Sequence, residues 1–357
     1  MLIILTAFLG IVCLSLFVST RTNRLSNEPH TMTLPFGAIQ LLTSELGELT
    51  ACPSGIIAGN SNGEIQVFTS LKANTTGKIY KLSNNPISAP VLEHHNVYYV
   101  GDEQGIFYAF DPQSGIKWTY QTGNKIMGGA IYANGKILVG SYDQKLYAFD
   151  PDNGTLNYTV ECDSYINGRP VLSESKDMIF LGSCDGMIRR INTKTGEITG
   201  QIALSSPIPS SPTLQQDMLY AITHNGTLAA INTNTFEIQY QKNNLGNYTS
   251  SPYTTEKFIF LTDTNGHINV YSRVDGSFIS IIEDQQKMTP LMASNNSHYY
   301  AVSIEGKLFA YSKQNDEWER EFIHDFQTDC QHSCSVFEET CLISDTSGGL
   351  YFYEVSK

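Results

Sequence analysis

Short runs of alternating apolar and polar residues, joined by tight polar turns, cover most of the chain. A typical stretch is YYVGDEQGIFYAF, in which two apolar runs flank an Asp-Glu-Gln-Gly turn. Two short runs of period-2 alternation around such a turn are typical of a β-hairpin. No helical periodicity of useful length occurs. The pattern therefore predicts an all-β protein built from hairpins.

The same hairpin occurs eight times, at intervals of 40 to 43 residues. One further strand precedes each hairpin and another follows it, which gives four strands per unit of about 40 residues, the size of a propeller blade. The sequence thus predicts an eight-bladed β-propeller of four-stranded antiparallel blades. The turn residues that mark the eight copies are Gly63, Gly105, Lys145, Gly186, Gly226, Gly266, Gly306 and Gly349.

A second turn follows each hairpin and is best seen in YAFDPQSGIKW (108–118) and YAFDPDNGTLNY (147–158). In the first copy Asp111 can accept a bond from the backbone two residues on, and Gly115 accepts a left-handed conformation. This phrase is therefore predicted to be a turn into the outer strand. We expect an aromatic residue of that strand to pack between blades; the candidates are Trp118, Tyr158, Tyr240 and Trp318.

The last copy ends one strand short of a full blade, whereas residues 34–44 (LPFGAIQLLTS) form a strand-like run before the first copy. We expect this run to supply the outer strand of the eighth blade. Such a strand would close the ring of blades and leave no open sheet edge between the two chain ends.

The N-terminal segment differs from the rest in hydropathy. Residues 2–18 are apolar and uncharged, which is long for the apolar region of a signal peptide and at the lower limit for a membrane span. We predict a signal peptide or membrane anchor in residues 1–20, a polar tether in 21–33 and the propeller in 34–357. The protein is thus expected outside the cytoplasm, periplasmic or secreted, or held at the membrane. Cleavage, lipidation at Cys13 and retention of the leader stay open.

Charge and cysteine content narrow the function classes. The formal net charge is −13 and there are no basic runs, which argues against nucleic-acid binding because phosphate contacts need clustered Lys and Arg. Six cysteines follow the leader, an even number that suits an oxidising compartment, and no zinc-site spacing occurs. They are Cys52, Cys162, Cys184, Cys330, Cys334 and Cys341.

Two of these cysteines fall in loops that should share one face of the propeller. Cys162 lies in the connection into the fourth blade and Cys184 in the turn between that blade's middle strands, so a Cys162–Cys184 disulfide is predicted. The cysteines of the eighth blade, with Cys52 in the neighbouring blade, could form a clasp near the ring closure. Their pairing stays open.

The turns between middle strands are rich in acids. If these turns are equivalent, their carboxylates form a ring on one face that could attract a basic partner segment or Ca²⁺; the alternative is that tight turns simply select Asp. No acid has further ligands at fixed spacing, so no metal site is predicted. The predicted interaction surface contains Asp102, Tyr142, Asp143, Asp185, Asp263, Glu305 and Asp345.

The repeated unit, apolar-Gly-x-x-x-Gly-x-apolar-Tyr-Ala-Phe-Asp-x-x-x-Gly-x-x-x-Trp, resembles the PQQ-type (pyrroloquinoline quinone) propeller repeat. The resemblance covers residues 34–357 and is most complete in the second and third copies. The Gly-His…Trp-Asp signature of the competing WD-type repeat does not occur.

The resemblance implies one of two functional kinds. Quinoprotein dehydrogenases of this family have a vicinal Cys-Cys pair, a Trp floor under the quinone and further Trp docking motifs. This chain has no Cys-Cys pair and only Trp118 and Trp318, and no hydrolase or phosphate-binding motif occurs. The resemblance therefore favours a BamB-like, non-catalytic scaffold that binds protein partners, without catalytic, cofactor or metal residues. The alternatives are a PQQ- and Ca²⁺-dependent dehydrogenase and a propeller that binds an extracellular sugar or matrix ligand.

Overall fold

The computed structural model describes residues 36–40, 46–69, 77–282, 286–289, 293–294, 298–314, 317–330, 334–337 and 340–354. These residues form 32 β-strands and no α-helix, which confirms the all-β prediction. Over the same ranges, no helix suited to crossing a membrane is present. The predicted leader (1–20), Cys13 and the tether (21–33) lie outside the described residues.

The strands form eight four-stranded antiparallel sheets, the predicted number of blades. In blades 1 to 7 the four strands follow each other along the chain, from the first strand of the blade to the last.

Blade 1 contains β2 (Thr50–Cys52), β3 (Gly55–Gly59), β4 (Glu64–Phe68) and β5 (Lys78–Lys81). Blade 2 contains β6 (Leu92–His94), β7 (Val97–Gly101), β8 (Ile106–Asp111) and β9 (Gly115–Gln121). Blade 3 contains β10 (Ile131–Ala133), β11 (Lys136–Gly140), β12 (Lys145–Phe149) and β13 (Leu156–Glu161). Blade 4 contains β14 (Val171–Leu172), β15 (Met178–Gly182), β16 (Met187–Asn192) and β17 (Ile198–Ala203).

Blade 5 contains β18 (Thr213–Gln215), β19 (Met218–Ile222), β20 (Leu228–Asn232) and β21 (Glu237–Lys242). Blade 6 contains β22 (Tyr253–Thr254), β23 (Phe258–Thr262), β24 (Ile268–Ser272) and β25 (Phe278–Ile282). Blade 7 contains β26 (Ala293–Ser294), β27 (Tyr299–Val302), β28 (Lys307–Gln314) and β29 (Glu317–Asp325). Blade 8 contains β30 (Ser335–Phe337), β31 (Thr340–Ser344), β32 (Gly349–Glu354) and β1 (Phe36–Gln40).

Blade 8 is built from both ends of the described chain. Strand β1 pairs antiparallel with β32, from Phe36 opposite Tyr353 to Gln40 opposite Gly349. The N-terminal strand is therefore the outer strand of the eighth sheet, as predicted. Blades 1 and 8 also share one apolar cluster, which consists of Leu46, Leu49, Ile56, Ala58, Phe68, Leu342, Leu350 and Phe352.

The middle strands are buried because each blade is covered by its neighbours. Strand β7 is buried at every position, whereas the outer strand β9 is exposed or half-buried at every position except Trp118. Apolar clusters extend from one blade to the next, as from Tyr99 and Phe107 in blade 2 to Phe149 in blade 3. Burial on both faces gives the middle strands apolar residues at nearly every position, where the sequence pattern predicted alternation.

The Asp-Pro phrase forms the predicted turn. The Oδ1 atom of Asp111 accepts hydrogen bonds from the backbone N–H of Gln113 (2.7 Å) and Ser114 (3.2 Å). The outer strand that follows carries Trp118, whose Nε1 donates to the carbonyl oxygen of Pro151 in the turn of the next blade (3.0 Å). The hydroxyls of Tyr158 and Tyr240 make the same contact with the carbonyls of Thr193 and Arg273.

Trp318 does not follow this arrangement. It lies opposite Lys313, at the far end of the elongated last hairpin of blade 7, and Glu321 occupies the position equivalent to Trp118. Its Nε1 donates to Ser280 Oγ of the preceding blade (2.7 Å). Its ring also packs against Phe260 of blade 6 and Tyr299 of blade 7, so Trp318 lies between two blades, as expected. Its point of contact differs from that of Trp118 because the longer strands shift it along the sheet.

Alanine at Gly154 should destabilise the protein more than alanine at Gly135. Both glycines have positive φ, +71° and +76°, so each substitution should cost about 1 kcal/mol in backbone strain. A Cβ at Gly154 would lie 2.6 Å from Trp118 Cδ2, whereas nothing lies within 4 Å at Gly135. We expect Gly154→Ala to lose a further 1–3 kcal/mol, roughly the cost of overpacking. Denaturant unfolding of the two variants measures the difference, and equal losses would contradict docking by Trp118.

Candidate functional site

The turns between middle strands lie on the same side of the propeller as the connections between blades, because each blade is an antiparallel meander. We call this side the turn face. Backbone hydrogen bonds join the two kinds of loop: the Tyr142 N–H donates to Lys125 O (2.9 Å), and the Cys184 N–H donates to Tyr165 O (3.0 Å). Every residue of the predicted interaction surface belongs to a turn of this face.

The acids of these turns occupy two different positions, so they do not form one ring of equivalent side chains. Three follow the end of a middle strand directly, and the other three lie two residues later. The first group contains Asp102, Asp263 and Asp345. The second group contains Asp143, Asp185 and Glu305.

Asp102 represents the first group. Its Oδ1 accepts the N–H groups of Gln104 (3.0 Å) and Ile106 (2.9 Å), and its Oδ2 accepts bonds from the side chains of Ser83, Asn85 and Tyr108. Burial alone would raise the pKa of this carboxyl, but the hydrogen bonds, led by that from Ser83, hold it below its usual value. Asp102 is therefore an internal acceptor of the fold.

Asp345 has the same role in blade 8, with bonds from Ser347, Gly349 and Tyr351. Asp102 and Asp345 are 0% and 2% exposed. The prediction that they form part of an exposed interaction surface is corrected at these two positions, because their oxygens are turned inward to cap the turn.

Two acids of the second group, Asp143 and Asp185, accept backbone N–H groups of the connection between blades. Asp143 Oδ2 accepts from the Gly123 N–H (2.6 Å) and from the Tyr147 hydroxyl (2.6 Å). Asp185 is bonded in the same way to the Asp163 N–H (3.0 Å) and to Arg189 Nη2 (2.6 Å), and Arg189 is buried. Burial opposes ionisation of Asp185, but the bond from Arg189 and two backbone N–H groups lower its pKa overall.

The remaining two acids are more open. Asp263 accepts from the Asn265 and His267 N–H groups and pairs with the His267 ring (3.1 Å). Glu305 is exposed and forms an ion pair with Lys307 (3.5 Å). Among the described residues, no group of three or more His, Cys, Asp or Glu side chains is placed to hold a metal ion. The acids of the turn face thus act mainly within the turns and on the adjoining connections between blades.

An aromatic cluster lies on the turn face between blades 3 and 4. Tyr142 stacks on Tyr165 with 4.7 Å between ring centroids, and Lys125 Nζ lies 4.6 Å from the Tyr142 centroid. The Tyr142 hydroxyl donates to Asn167 Oδ1 (2.5 Å), while Tyr165 is 43% exposed. We call Lys125, Tyr142, Tyr165 and Asn167 the tyrosine patch. It combines an exposed aromatic surface with a cation on a protein whose net charge is negative.

Sequence reasoning identified Tyr142 but missed Tyr165. The sequence signal for Tyr165 is its position in the connection between blades, where its carbonyl oxygen accepts the N–H of a residue in the next turn. In most other copies a proline or a polar residue occupies this position. Those residues are Pro86, Lys125, Pro207, Asn247, Lys287 and Asp329. Within the described chain, the other exposed large apolar side chain on the turn face is Ile304 in blade 7.

Cys162 and Cys184 are both free thiols in the structure. The Cys184 Sγ faces the carbonyl oxygen of Ile208 (3.7 Å), and Cys162 lies in the apolar cluster between blades 3 and 4. Burial raises the pKa of Cys162 to about 11, which makes this thiol unreactive at neutral pH. The Cys162–Cys184 disulfide is thus absent from this structure and stays a prediction.

Comparison with known proteins agrees with this architecture. The family model described as outer membrane protein assembly factor BamB matches residues 62–281. The crystal structure of BamB from Moraxella catarrhalis is 16% identical, with a TM-score of 0.76 over 90% of this chain and 100% of that chain. The computationally designed Ika8 protein is 11% identical, with a TM-score of 0.73 over 88% of this chain and 97% of that one. No curated protein matches the sequence.

Proposed function

Because the chain belongs to the family described as outer membrane protein assembly factor BamB, we propose that it is a non-catalytic scaffold for outer-membrane protein assembly. In this proposal it binds protein partners outside the cytoplasm, in the periplasm or as a secreted protein. Residues 1–20 serve as its signal peptide or membrane anchor, residues 21–33 as a tether and residues 34–357 as the propeller.

The observation that carries the proposal is the tyrosine patch. Tyrosine is enriched in the energetically dominant centres of protein interfaces, since it buries a large rigid surface and keeps a polar end. Stacking on Tyr142 fixes the ring of Tyr165, so little side-chain entropy remains to be lost on binding. The acids of the surrounding turns are largely used inside the fold. The patch is therefore the part of the turn face best suited to contact a partner.

Replacing Tyr165 by alanine should weaken partner capture about tenfold or more, the effect of losing an interface residue worth about 1.4 kcal/mol. Crosslinking and affinity purification from the native membrane fraction would measure it. Phe278→Ala is the matched control, because Phe278 is 59% exposed on the outer strand of blade 6, away from the turn face. Both variants should melt within about 1 °C of the wild type, since surface substitutions rarely exceed 0.5 kcal/mol.

Equal capture by Tyr165→Ala and the wild type would exclude the tyrosine patch as the interface. Capture of cytoplasmic proteins alone would contradict the proposed location. An absorbance spectrum of bound quinone, with dye reduction on addition of PQQ and Ca²⁺, would overturn the non-catalytic assignment in favour of a quinoprotein dehydrogenase.

A further inference from the structure

Three of the six cysteines that follow the leader lie in or beside blade 8. Cys330, Cys334 and Cys341 are 0%, 2% and 0% exposed, and all three are free thiols. Blade 8 is also the blade in which β1 meets the C-terminal strands. These cysteines are therefore concentrated where the first and last described strands meet.

Other blades fill the same core positions with larger apolar side chains. At the positions of Cys330 and Cys341, the other blades pack a buried residue that has no thiol. Packing therefore does not require cysteine at either position. The residues equivalent to Cys330 are Ile87, Ile126, Ile166, Ile208, Tyr248 and Met288. Those equivalent to Cys341, second in their strands, are Ile56, Tyr98, Ile137, Ile179, Leu219 and Ile259.

The strand register brings Cys334 and Cys341 together. Strands β30 and β31 pair antiparallel, with Val336 opposite Cys341. Cys334 directly precedes β30 and lies two residues before Val336, so the continued register places it diagonally across from Cys341. The two side chains are within hydrogen-bonding contact. Cys334 Sγ also donates to Tyr300 O of blade 7 (3.2 Å), which fixes it at the boundary between blades 7 and 8.

We propose that Cys334 and Cys341 form a disulfide that links the segment just before β30 to β31 in blade 8, while Cys330 remains a thiol. The bond would hold the start of β30, the innermost strand, against β31, which pairs with β32, and β32 in turn pairs with β1. It stabilises the blade that joins the chain ends. This inference is independent of the proposed partner binding.

The bond forms by exchange with a low-molecular-weight disulfide such as oxidised glutathione. The thiolate of one cysteine attacks that disulfide, and one glutathione thiolate leaves. The second cysteine then loses its proton and attacks the mixed disulfide, which forms the protein S–S bond and releases the other glutathione. The protein loses two electrons and two protons, and the glutathione disulfide is reduced to two thiols.

The surroundings of the two thiols determine at which stage of folding the disulfide can form. The hydrogen bond with Cys334 and complete burial hold the pKa of Cys341 well above its usual value, so few thiolates exist in the folded protein. The exchange is therefore expected while blade 8 is still open during folding. Its outcome should depend on the redox state of the refolding solution.

The test is to unfold and reduce the full chain and to refold it with oxidised and reduced glutathione or with dithiothreitol. Cleavage after Glu338 or Glu339 separates Cys334 from Cys341. A non-reducing peptide map should contain the two peptides linked, with the mass lowered by about 2 Da, the two hydrogens lost on oxidation. The oxidised protein should melt roughly 5 °C higher than the reduced one.

Variants that restore the residue of another blade serve as controls. Cys330→Ile should keep both the linked peptides and the shift in melting temperature, whereas Cys341→Ile and Cys334→Val should lose both. A bond that includes Cys330, or free thiols at 334 and 341 in wild-type protein refolded with oxidised glutathione, would overturn the proposal. The wild-type and Cys330→Ile maps decide the question even where another variant does not fold.

Discussion

Deletion of residues 34–44 should lower the melting temperature by roughly 10 °C or more. The described part of this segment, β1, pairs with β32 at five positions. Each net hydrogen bond contributes about 1 kcal/mol, so losing the strand should cost about 5 kcal/mol before any change in packing is counted. The deletion also leaves β32 as an unpaired edge, which favours association of one molecule with another. Calorimetry and light scattering measure the two effects.

Deletion of residues 21–33 is the matched control. It removes a segment of similar length that is predicted to be a tether, so the melting temperature should stay unchanged. If the shortened protein without residues 34–44 melts like the wild type, the N-terminal strand does not stabilise blade 8. If both deletions destabilise equally, the effect belongs to chain length or to the tether and not to strand pairing.

The blade count could be predicted from sequence because each blade needs the same turns at the same spacing. Gly105 and Gly186 have φ of +83° and +82°, a backbone conformation that favours glycine. The same turn therefore places a glycine at the same position in most blades. The closing strand was predictable for a related reason. The last copy lacked one strand, and residues 34–44 were the remaining strand-like run.

The chemistry of individual turns was harder to predict. Asp102 and Asp143 both lie in turns between middle strands, yet their positions in the turn differ by two residues. Asp102 is fully buried and accepts from side chains of the connection between blades, whereas Asp143 accepts a backbone N–H of that connection. The difference depends on where each middle strand ends, and an error of two residues in that boundary exchanges the two roles. Trp318 shows the same limit, since its site depends on the length of the last hairpin of blade 7.

Contacts between copies were harder still. Tyr142 lies in a turn of blade 3 and Tyr165 in the connection to blade 4, and their stacking depends on how one blade is placed against the next. The contact between Cys334 and Cys341 depends on the register of two short strands. Spacing alone left the cysteine pairings open, because six cysteines allow fifteen of them.

Replacing Asp102 by alanine should cost about 3–5 kcal/mol, the range for leaving buried partners of a charged group unsatisfied. The substitution removes the acceptor of two backbone N–H groups and of the Ser83, Asn85 and Tyr108 side chains. Glu305→Ala in the corresponding turn of blade 7 is the control and should stay within about 0.5 kcal/mol, because that side chain is exposed and its ion pair with Lys307 is screened. Denaturant unfolding at neutral pH compares the two variants.

The effect of Asp102→Ala should also depend on pH, with a sign set by the lowered pKa of Asp102 in the folded protein. A carboxyl with a lowered folded pKa stabilises fully above its unfolded pKa of about 3.9, and the contribution is lost as pH falls through the folded value. The stability difference between wild type and Asp102→Ala should therefore be constant near neutral pH and shrink below about pH 4. Asp185 and Asp345 also have lowered pKa values, so the variant should retain part of the acid sensitivity of the wild type. A difference that stays constant down to pH 2 would mean that Asp102 acts through packing and not as a charged acceptor, because only the ionised form is lost on acidification.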